Sequence, residues 1–188
     1  MRARSIAAAL LMIAVLASCD LVSQVSGKQS SPPVEPSTPS VRAQWSFYVV
    51  RHAERADDSS EDPPLTSDGE QRAQRLARML AGKGGVAVYA TQYQRTQATA
   101  RPTAEAWGVP VTPYDGQTTA VSLADAIKSA NPQGTILVVG HSDTVPDLVA
   151  QLCQCSVDPI DDSDFGNLYH VDLAADGSVL QAEQSANY

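Results

Sequence analysis

The 188-residue chain is poor in cysteine, in basic residues and in long apolar runs, and each shortage excludes a class of protein. Its three cysteines are too few for a small disulfide-stapled scaffold. Thirteen basic and 21 acidic residues give a net charge of −8, which argues against general nucleic-acid binding because phosphates require a basic surface. No apolar run reaches the roughly 18 residues of a membrane-spanning helix. The apolar fraction of 43% still suffices for one globular core.

The start of the chain has the features of an export signal. Arg2 and Arg4 precede an apolar stretch, Ile6 to Leu16, which has the length of a signal-peptide core. The stretch ends in Leu-Ala-Ser-Cys, which resembles a bacterial lipobox and implies cleavage before Cys19 and acylation of its thiol. We therefore expect a lipoprotein signal peptide over residues 1–18, and an ordinary secretory signal with an incidental cysteine is the alternative. Acyl chains would anchor the protein to the bacterial cell envelope, facing the periplasm or the exterior.

Two further regions follow the signal. Residues 19–44 are rich in serine and proline and contain almost nothing to bury, so we expect a disordered tether there. Residues 45–188 alternate apolar strand-like and amphipathic helix-like segments, which predicts one folded domain. The alternation indicates an α/β fold, a three-layer α/β/α sandwich with a mostly parallel central sheet.

Individual elements of this domain are also predicted. Trp45 to Val50 and Thr135 to Val139 read as buried strands. The run Ser67 to Glu70 matches a capping box before a helix. A second helix is predicted from about Gln92, with an interruption or restart at Pro102.

Polar side chains follow three of the predicted strands at the point where each strand ends. Arg51 and His52 follow the first strand, Arg95 follows the second, and His141 follows the strand that ends at Val139. In a parallel sheet these ends share one edge, where ligands bind. Arginine matches phosphoryl oxygens with two donors, and a neutral imidazole can attack phosphorus. The arrangement predicts a phosphate site.

Four ordered motifs resemble those of the histidine phosphatase superfamily, which has the phosphoglycerate-mutase-like fold. They are Arg51-His52-Ala53-Glu54, the run Leu65 to Ala73, the run Arg95 to Ala100, and Gly140-His141-Ser142. The likeness spans about residues 45–173, and the short chain is most similar to the small SixA-like members.

The resemblance implies a role for each matched residue. His52 is expected to be the nucleophile and to form a phosphohistidine. Arg51 and Arg95 are expected to bind the phosphoryl oxygens, and His141 to complete the pocket and stabilise the transition state. The resemblance implies no metal and no cofactor.

The general acid is not fixed by any motif. Asp115 is favoured because its loop position resembles that of the acid in several branches of the family. Asp143 is a second candidate, although it also suits the N-cap of the next helix. Glu54 is a third candidate, and we also expect it to contact the substrate.

The expected function is a metal-independent phosphomonoester hydrolase tethered to the envelope. Its substrate would be a phosphorylated small molecule, an envelope glycan or lipid headgroup, or a phosphoprotein, and no nucleic acid. The alternative is a catalytically silent lipoprotein that binds a phosphate ligand. His170 has no motif partner and is expected to be structural. Whether Cys153 and Cys155 pair is left open by the sequence.

Overall fold

The computed structural model describes residues 42–188, and all structural statements below refer to that part of the chain. The predicted signal peptide and most of the predicted tether lie outside it. Strands and helices alternate as the sequence predicts. The strands are β1 (Trp45–Arg51), β2 (Gly85–Thr91), β3 (Val111–Tyr114), β4 (Gly134–Gly140), β5 (Leu168–Leu173) and β6 (Val179–Ser185). The helices are α1 (Ser67–Leu80), α2 (Gln94–Trp107), α3 (Ala120–Ala130) and α4 (Thr144–Cys153).

The six strands form one sheet in the order β3-β2-β4-β1-β5-β6. Strands β3, β2, β4 and β1 are parallel, whereas β5 and β6 are antiparallel additions at one side. Strand β4 lies between β1 and β2, so the carboxyl ends of these three strands are neighbours. This order places the three predicted motif loops at one edge of the sheet.

Helices cover both faces of the sheet, which confirms the three-layer α/β/α prediction. Alternate side chains of β1 point to opposite faces, as the two-residue period of a strand requires. Phe47 and Val49 join the core formed with α3 and α4. Tyr48 and Val50 join the core formed with α1 and α2.

Helix α1 begins one residue earlier than the predicted capping box. The N-cap is Thr66, whose hydroxyl accepts a hydrogen bond from the backbone N–H of Gly69 at 3.1 Å. Gly69 is buried, and a Cβ there would overlap the carbonyl oxygen of Glu54. The absence of a side chain at this position lets α1 lie directly against the loop after β1.

Helix α2 continues through Pro102, so the predicted interruption is wrong. Proline has no N–H, and the carbonyl of Ala98 therefore lacks its usual donor four residues ahead. The helix ends at Trp107, and Gly108 caps it in the left-handed conformation with φ of 71°.

Two further features answer questions that the sequence raises. Cys153 and Cys155 form a disulfide at the end of α4. Among residues 42–188, none of the helices is both long enough and apolar enough to span a bilayer.

Candidate active site

A pocket of about 460 Å³ opens at the carboxyl ends of β1, β2 and β4. The structure brings four of the predicted site residues to this pocket: Arg51, His52, Arg95 and His141. The amide N–H of His52 donates to the carbonyl of Gly140 at 2.9 Å, which joins the ends of β1 and β4. Sheet pairing therefore determines how close the two histidine loops lie.

His52 is held as a neutral imidazole with one free nitrogen. Its side chain is 3% exposed, and Nδ1 lies 2.8 Å from the carbonyl oxygen of Ala53. Because a carbonyl only accepts, Nδ1 must carry the proton and Nε2 must carry the lone pair. The N–H of Ala53 in turn donates to the hydroxyl of Thr99 on α2, at 2.9 Å. These bonds fix the orientation of the His52 ring and leave its Nε2 without a partner in the described hydrogen bonds.

His141 is oriented by a chain of threonine hydroxyls. Its Nε2 lies 2.9 Å from the Thr91 hydroxyl, which lies 2.8 Å from the Thr96 hydroxyl. Thr96 donates to the carbonyl of Tyr93 at 2.8 Å, so Thr91 donates to Thr96 and accepts from Nε2–H of His141. The imidazole of His141 lies edge-on to that of His52, with ring centroids 5.4 Å apart. Nδ1 is then the nitrogen at which neutral His141 takes up a proton.

The guanidinium of Arg51 is fixed by the loop that precedes β5. Its Nη1 donates to the carbonyls of Asp161 and Asp164 at 2.9 and 3.1 Å, and Nη2 lies 3.7 Å from the Asp162 carboxylate. The ring of Phe165 lies 4.2 Å from the guanidinium carbon. Its Nε is buried and has no partner within the described chain. An unpaired buried donor is costly, and a phosphoryl oxygen in the pocket would satisfy it.

Arg95 has a similar environment on α2. Its guanidinium stacks on Tyr93 at 4.4 Å, and Nη1 lies 3.4 Å from the carboxylate of Asp62. Asp62 also accepts from the N–H of Gln94 at 3.0 Å, so it orders the start of α2. The Nε of Arg95, like that of Arg51, is buried without a partner in residues 42–188. Two arginines with buried, unpartnered Nε donors therefore line one pocket.

The pocket keeps both histidines neutral. Burial, followed by the charges of Arg51, His141 and Arg95, lowers the pKa of His52 to about 3. Burial, followed by the charge of Arg95, lowers the pKa of His141 to about 4, although Asp143 opposes that shift. A phosphate dianion bound between these groups would raise both pKa values again.

These pKa shifts predict how stability depends on pH. The unfolded histidines bind protons below about pH 6.5, whereas the folded ones do so only near pH 3 and 4. The contribution of the two histidines to stability is therefore fully present above pH 6.5. The free energy of unfolding falls as pH falls, by about 1.4 kcal/mol per pH unit for each histidine. In urea titrations at pH 4.5, 5.5 and 6.5, a His52→Asn variant should lose about half of this slope. Equal slopes for variant and wild type would contradict the assignment.

The structure does not bring Glu54 and Asp115 into the pocket, so both expected roles are corrected. Glu54 forms a salt bridge with Arg72 of α1, which lowers the pKa of the Glu54 carboxyl. Asp115 is exposed and accepts from the N–H of Gln117 at 2.9 Å, which closes the turn after β3. Neither residue lines the pocket, whereas Gln117 does.

Asp143 is the one of the three acid candidates that lines the pocket. It occupies the N-cap position of α4, but its side chain makes no capping hydrogen bond. The hydroxyl of Thr144 instead accepts from the N–H of His141, at 3.0 Å. The Asp143 carboxylate is therefore available beside His141.

The sequence reasoning missed several pocket residues. Arg55 follows the first motif directly and could have been suspected from its charge. The others were not singled out as site residues, and they include Glu61, Pro63, Tyr93, Gly116, Gln117 and Asp162.

His170 lies apart from this pocket. It stacks on Tyr48 with ring centroids 4.4 Å apart, and its Nε2 lies 3.0 Å from Asp172. These contacts agree with the prediction that His170 has a structural role. Within residues 42–188, no group of three or more histidine, cysteine or acidic side chains could hold a metal ion.

Comparison with known proteins supports the interpretation of the pocket. The family model described as histidine phosphatase superfamily (branch 1) matches residues 47–118. That segment contains Arg51, His52 and Arg95. A search of the curated proteins found no significant match.

Solved structures share the fold at low sequence identity. The protein histidine phosphatase SixA complexed with tungstate is 20% identical, with a TM-score of 0.63, over 75% of this chain and 96% of that chain. YhfR of Bacillus stearothermophilus is 15% identical, with a TM-score of 0.62, over 77% and 98%. A mycobacterial glucosyl-3-phosphoglycerate phosphatase is 12% identical, with a TM-score of 0.57, over 78% and 99%. The family model thus matches the segment that carries the first three motifs, the solved structures share the fold, and both findings support the resemblance to the histidine phosphatase superfamily.

Proposed function

We propose that the chain is a phosphomonoester hydrolase that acts through a phosphohistidine on His52. The family match over residues 47–118 supports phosphatase activity, and one observation carries the proposed mechanism. The neutral Nε2 of His52 shares a pocket with the buried guanidinium of Arg51 and the partly buried guanidinium of Arg95, whose Nε donors have no partner in the described chain. This arrangement suits an incoming phosphoryl group, which needs charge neutralisation and alignment.

In the first step, Nε2 of His52 attacks phosphorus in line with the leaving oxygen. The N–P bond forms as the ester P–O bond breaks, and the electron pair of that bond stays on the leaving oxygen. Arg51 and Arg95 stabilise the charge on the equatorial oxygens. His141 takes a proton when the dianion binds and donates it as a hydrogen bond to the phosphoryl group.

We assign the general acid to Asp143. Its carboxyl donates a proton to the leaving oxygen in the first step, which avoids an alkoxide product. In the second step the carboxylate accepts a proton from the water that attacks phosphorus. The N–P bond then breaks, its electron pair returns to Nε2 of His52, and inorganic phosphate is released.

This assignment predicts that the effect of Asp143→Asn depends on the leaving group. Alkyl phosphates need a proton on the departing oxygen, and their kcat/KM should fall about 10²-fold. A nitrophenyl phosphate leaves without that proton and should lose much less. Parallel assays of both ester types, with Asp115→Asn as the matched control, measure the difference. Equal losses for the two esters would contradict the role of Asp143.

The direct test of the function is turnover of an aryl phosphate by the full chain. Phosphate release in the presence of EDTA is the expected result for a metal-independent phosphohistidine route. Silence of the folded protein would favour the alternative, a lipoprotein that binds phosphate ligands without turnover. Calorimetric titration with inorganic phosphate would then be the next measurement.

We also propose that the chain is tethered to the cell envelope through acylated Cys19. The support is the signal-like order of residues 1–18 and the serine- and proline-rich residues 19–44. A Cys19→Ser variant should lose incorporation of labelled palmitate and leave the membrane fraction. Retention of the label by that variant would overturn the proposal.

A further inference from the structure

A second concavity lies between α1 and α2, outside the catalytic pocket, and its volume is about 880 Å³. Small residues form its floor, including Ala73 of α1 and Ala98 and Pro102 of α2. Because Pro102 lacks an N–H, the carbonyl of Ala98 is without its usual helical donor. We call this concavity the α1/α2 groove.

Three arginines line the α1/α2 groove: Arg75, Arg78 and Arg101. All three are exposed, and none forms an ion pair with another residue of the described chain. Unpaired arginines in one groove are unexpected in a chain of net charge −8. Their charge complements an acidic ligand.

The α1/α2 groove adjoins the catalytic pocket. Pro63 lines the pocket, and Leu65, two residues later, lines the groove. Leu65 also forms a β-bridge with Arg55, another pocket residue. On α2, Arg95 lines the pocket and Ala98, one turn later, lines the groove. The pocket and the groove are therefore lined by neighbouring residues of the same loop and of the same helix.

We propose that the α1/α2 groove binds an acidic polypeptide segment of a phosphorylated protein substrate, an inference that rests on the proposed phosphatase function. A concave groove suits a chain better than a flat membrane surface. Glu70 and Glu105 also line the groove and would repel a uniformly charged polyanion, whereas separated carboxylates can avoid them. The protein's own residues 1–41 contain just two acids, Asp20 and Glu35, and offer little complementary charge.

Helix geometry gives the spacing of the recognised acids. Arg101 lies six residues after Arg95 on α2, or about 9 Å along the helix axis. An extended peptide covers this distance in about three residues. The favoured carboxylates are thus about three to five residues from the phosphorylated residue.

The test compares phosphotyrosine peptides that carry glutamate or glutamine three to five residues from the phosphotyrosine, either before it or after it. With the full chain, the glutamate peptides of one of these two sets should have a kcat/KM about tenfold above that of the matching glutamine peptides, and salt should reduce the difference. The R78Q/R101Q variant should lose that preference and keep wild-type turnover of nitrophenyl phosphate. R42Q and K128Q, which remove cations outside the groove, should keep the preference. Equal kcat/KM values for glutamate and glutamine peptides would overturn the proposal.

A binding measurement separates this inference from the proposed function. Fluorescence anisotropy of an unphosphorylated peptide with separated glutamates should show binding to wild type, and about tenfold weaker binding to R78Q/R101Q. If nitrophenyl phosphate is not turned over, the proposed function fails while this binding can still be observed. If it is turned over and no peptide binds, the groove proposal fails alone. Arginine-dependent binding to phosphatidylglycerol vesicles, without peptide binding, would instead identify a membrane-facing surface and overturn it.

Discussion

A His52→Ala variant is expected to lose at least about 10⁴-fold in kcat/KM on every phosphomonoester, because the proposed covalent intermediate forms on this side chain. The only proposed nucleophilic atom is Nε2 of His52, which the bond from Nδ1 to the Ala53 carbonyl leaves free. A good leaving group should not rescue the variant, since attack on phosphorus itself is lost. The loss should therefore be similar for alkyl and aryl phosphates.

The control for this experiment is His170→Gln, which changes a histidine on β5 that lies apart from the pocket. It should keep turnover near the wild-type value while losing the stack on Tyr48. Both variants need thermal melts to show that they are folded. Substantial turnover by folded His52→Ala would contradict the nucleophile assignment.

An Arg51→Met variant is expected to lose both activity and stability. Removing one preorganised donor group from a phosphoryl site costs about 10²–10³-fold in kcat. The same change leaves the carbonyls of Asp161 and Asp164 without their donor in a partly buried loop, at a cost of about 3 kcal/mol. The two losses come from one side chain that contacts the loop with Nη1 and has its Nε buried at the pocket.

Kinetics and urea unfolding together separate these two effects. Arg51→Lys keeps a positive charge but replaces the broad planar guanidinium with a compact ammonium, which cannot span the distance between the loop carbonyls and the pocket, so both losses should be intermediate. Arg42→Met, which removes an exposed arginine outside the pocket, should change neither quantity. A stable Arg51→Met protein with wild-type kcat/KM would contradict the role of this residue.

The sequence could predict the strand ends because their chemistry is local. β1 and β4 are short apolar runs, and the polar motif follows each run directly. The parallel order then brings Arg51, His52 and His141 together through main-chain pairing, whatever the side chains of the helices. This is why the fold and four pocket residues were predicted.

The contacts that hold two of the acid candidates outside the pocket do not follow from the periodic patterns in the sequence. Glu54 is adjacent to the first motif, but Arg72, which follows 18 residues later on α1, pairs with its carboxylate. Asp115 belongs to the turn after β3, the outermost strand on that side of the sheet, and its carboxylate accepts from its own turn. No periodic pattern reports either contact, so the sequence could not rank these residues below Asp143.

The support of Arg51 was likewise beyond sequence reasoning. The loop over Asp161–Phe165 has neither strand nor helix periodicity, and it is more than 100 residues from Arg51 along the chain. Its carbonyls and the Phe165 ring contact the guanidinium because β5 pairs with β1. Contacts that depend on such long-range strand pairing become apparent in the folded structure and leave no local pattern in the sequence.

Chemical trapping of the intermediate tests the central claim most directly. The full chain would be mixed with a ³²P-labelled phosphomonoester, quenched within milliseconds in alkali, digested and analysed by mass spectrometry. The account predicts a phosphate that is stable in alkali, labile in acid, and attached to the peptide that contains His52. Turnover without such an adduct, or a phosphate attached at His141 or at a carboxylate, would contradict it.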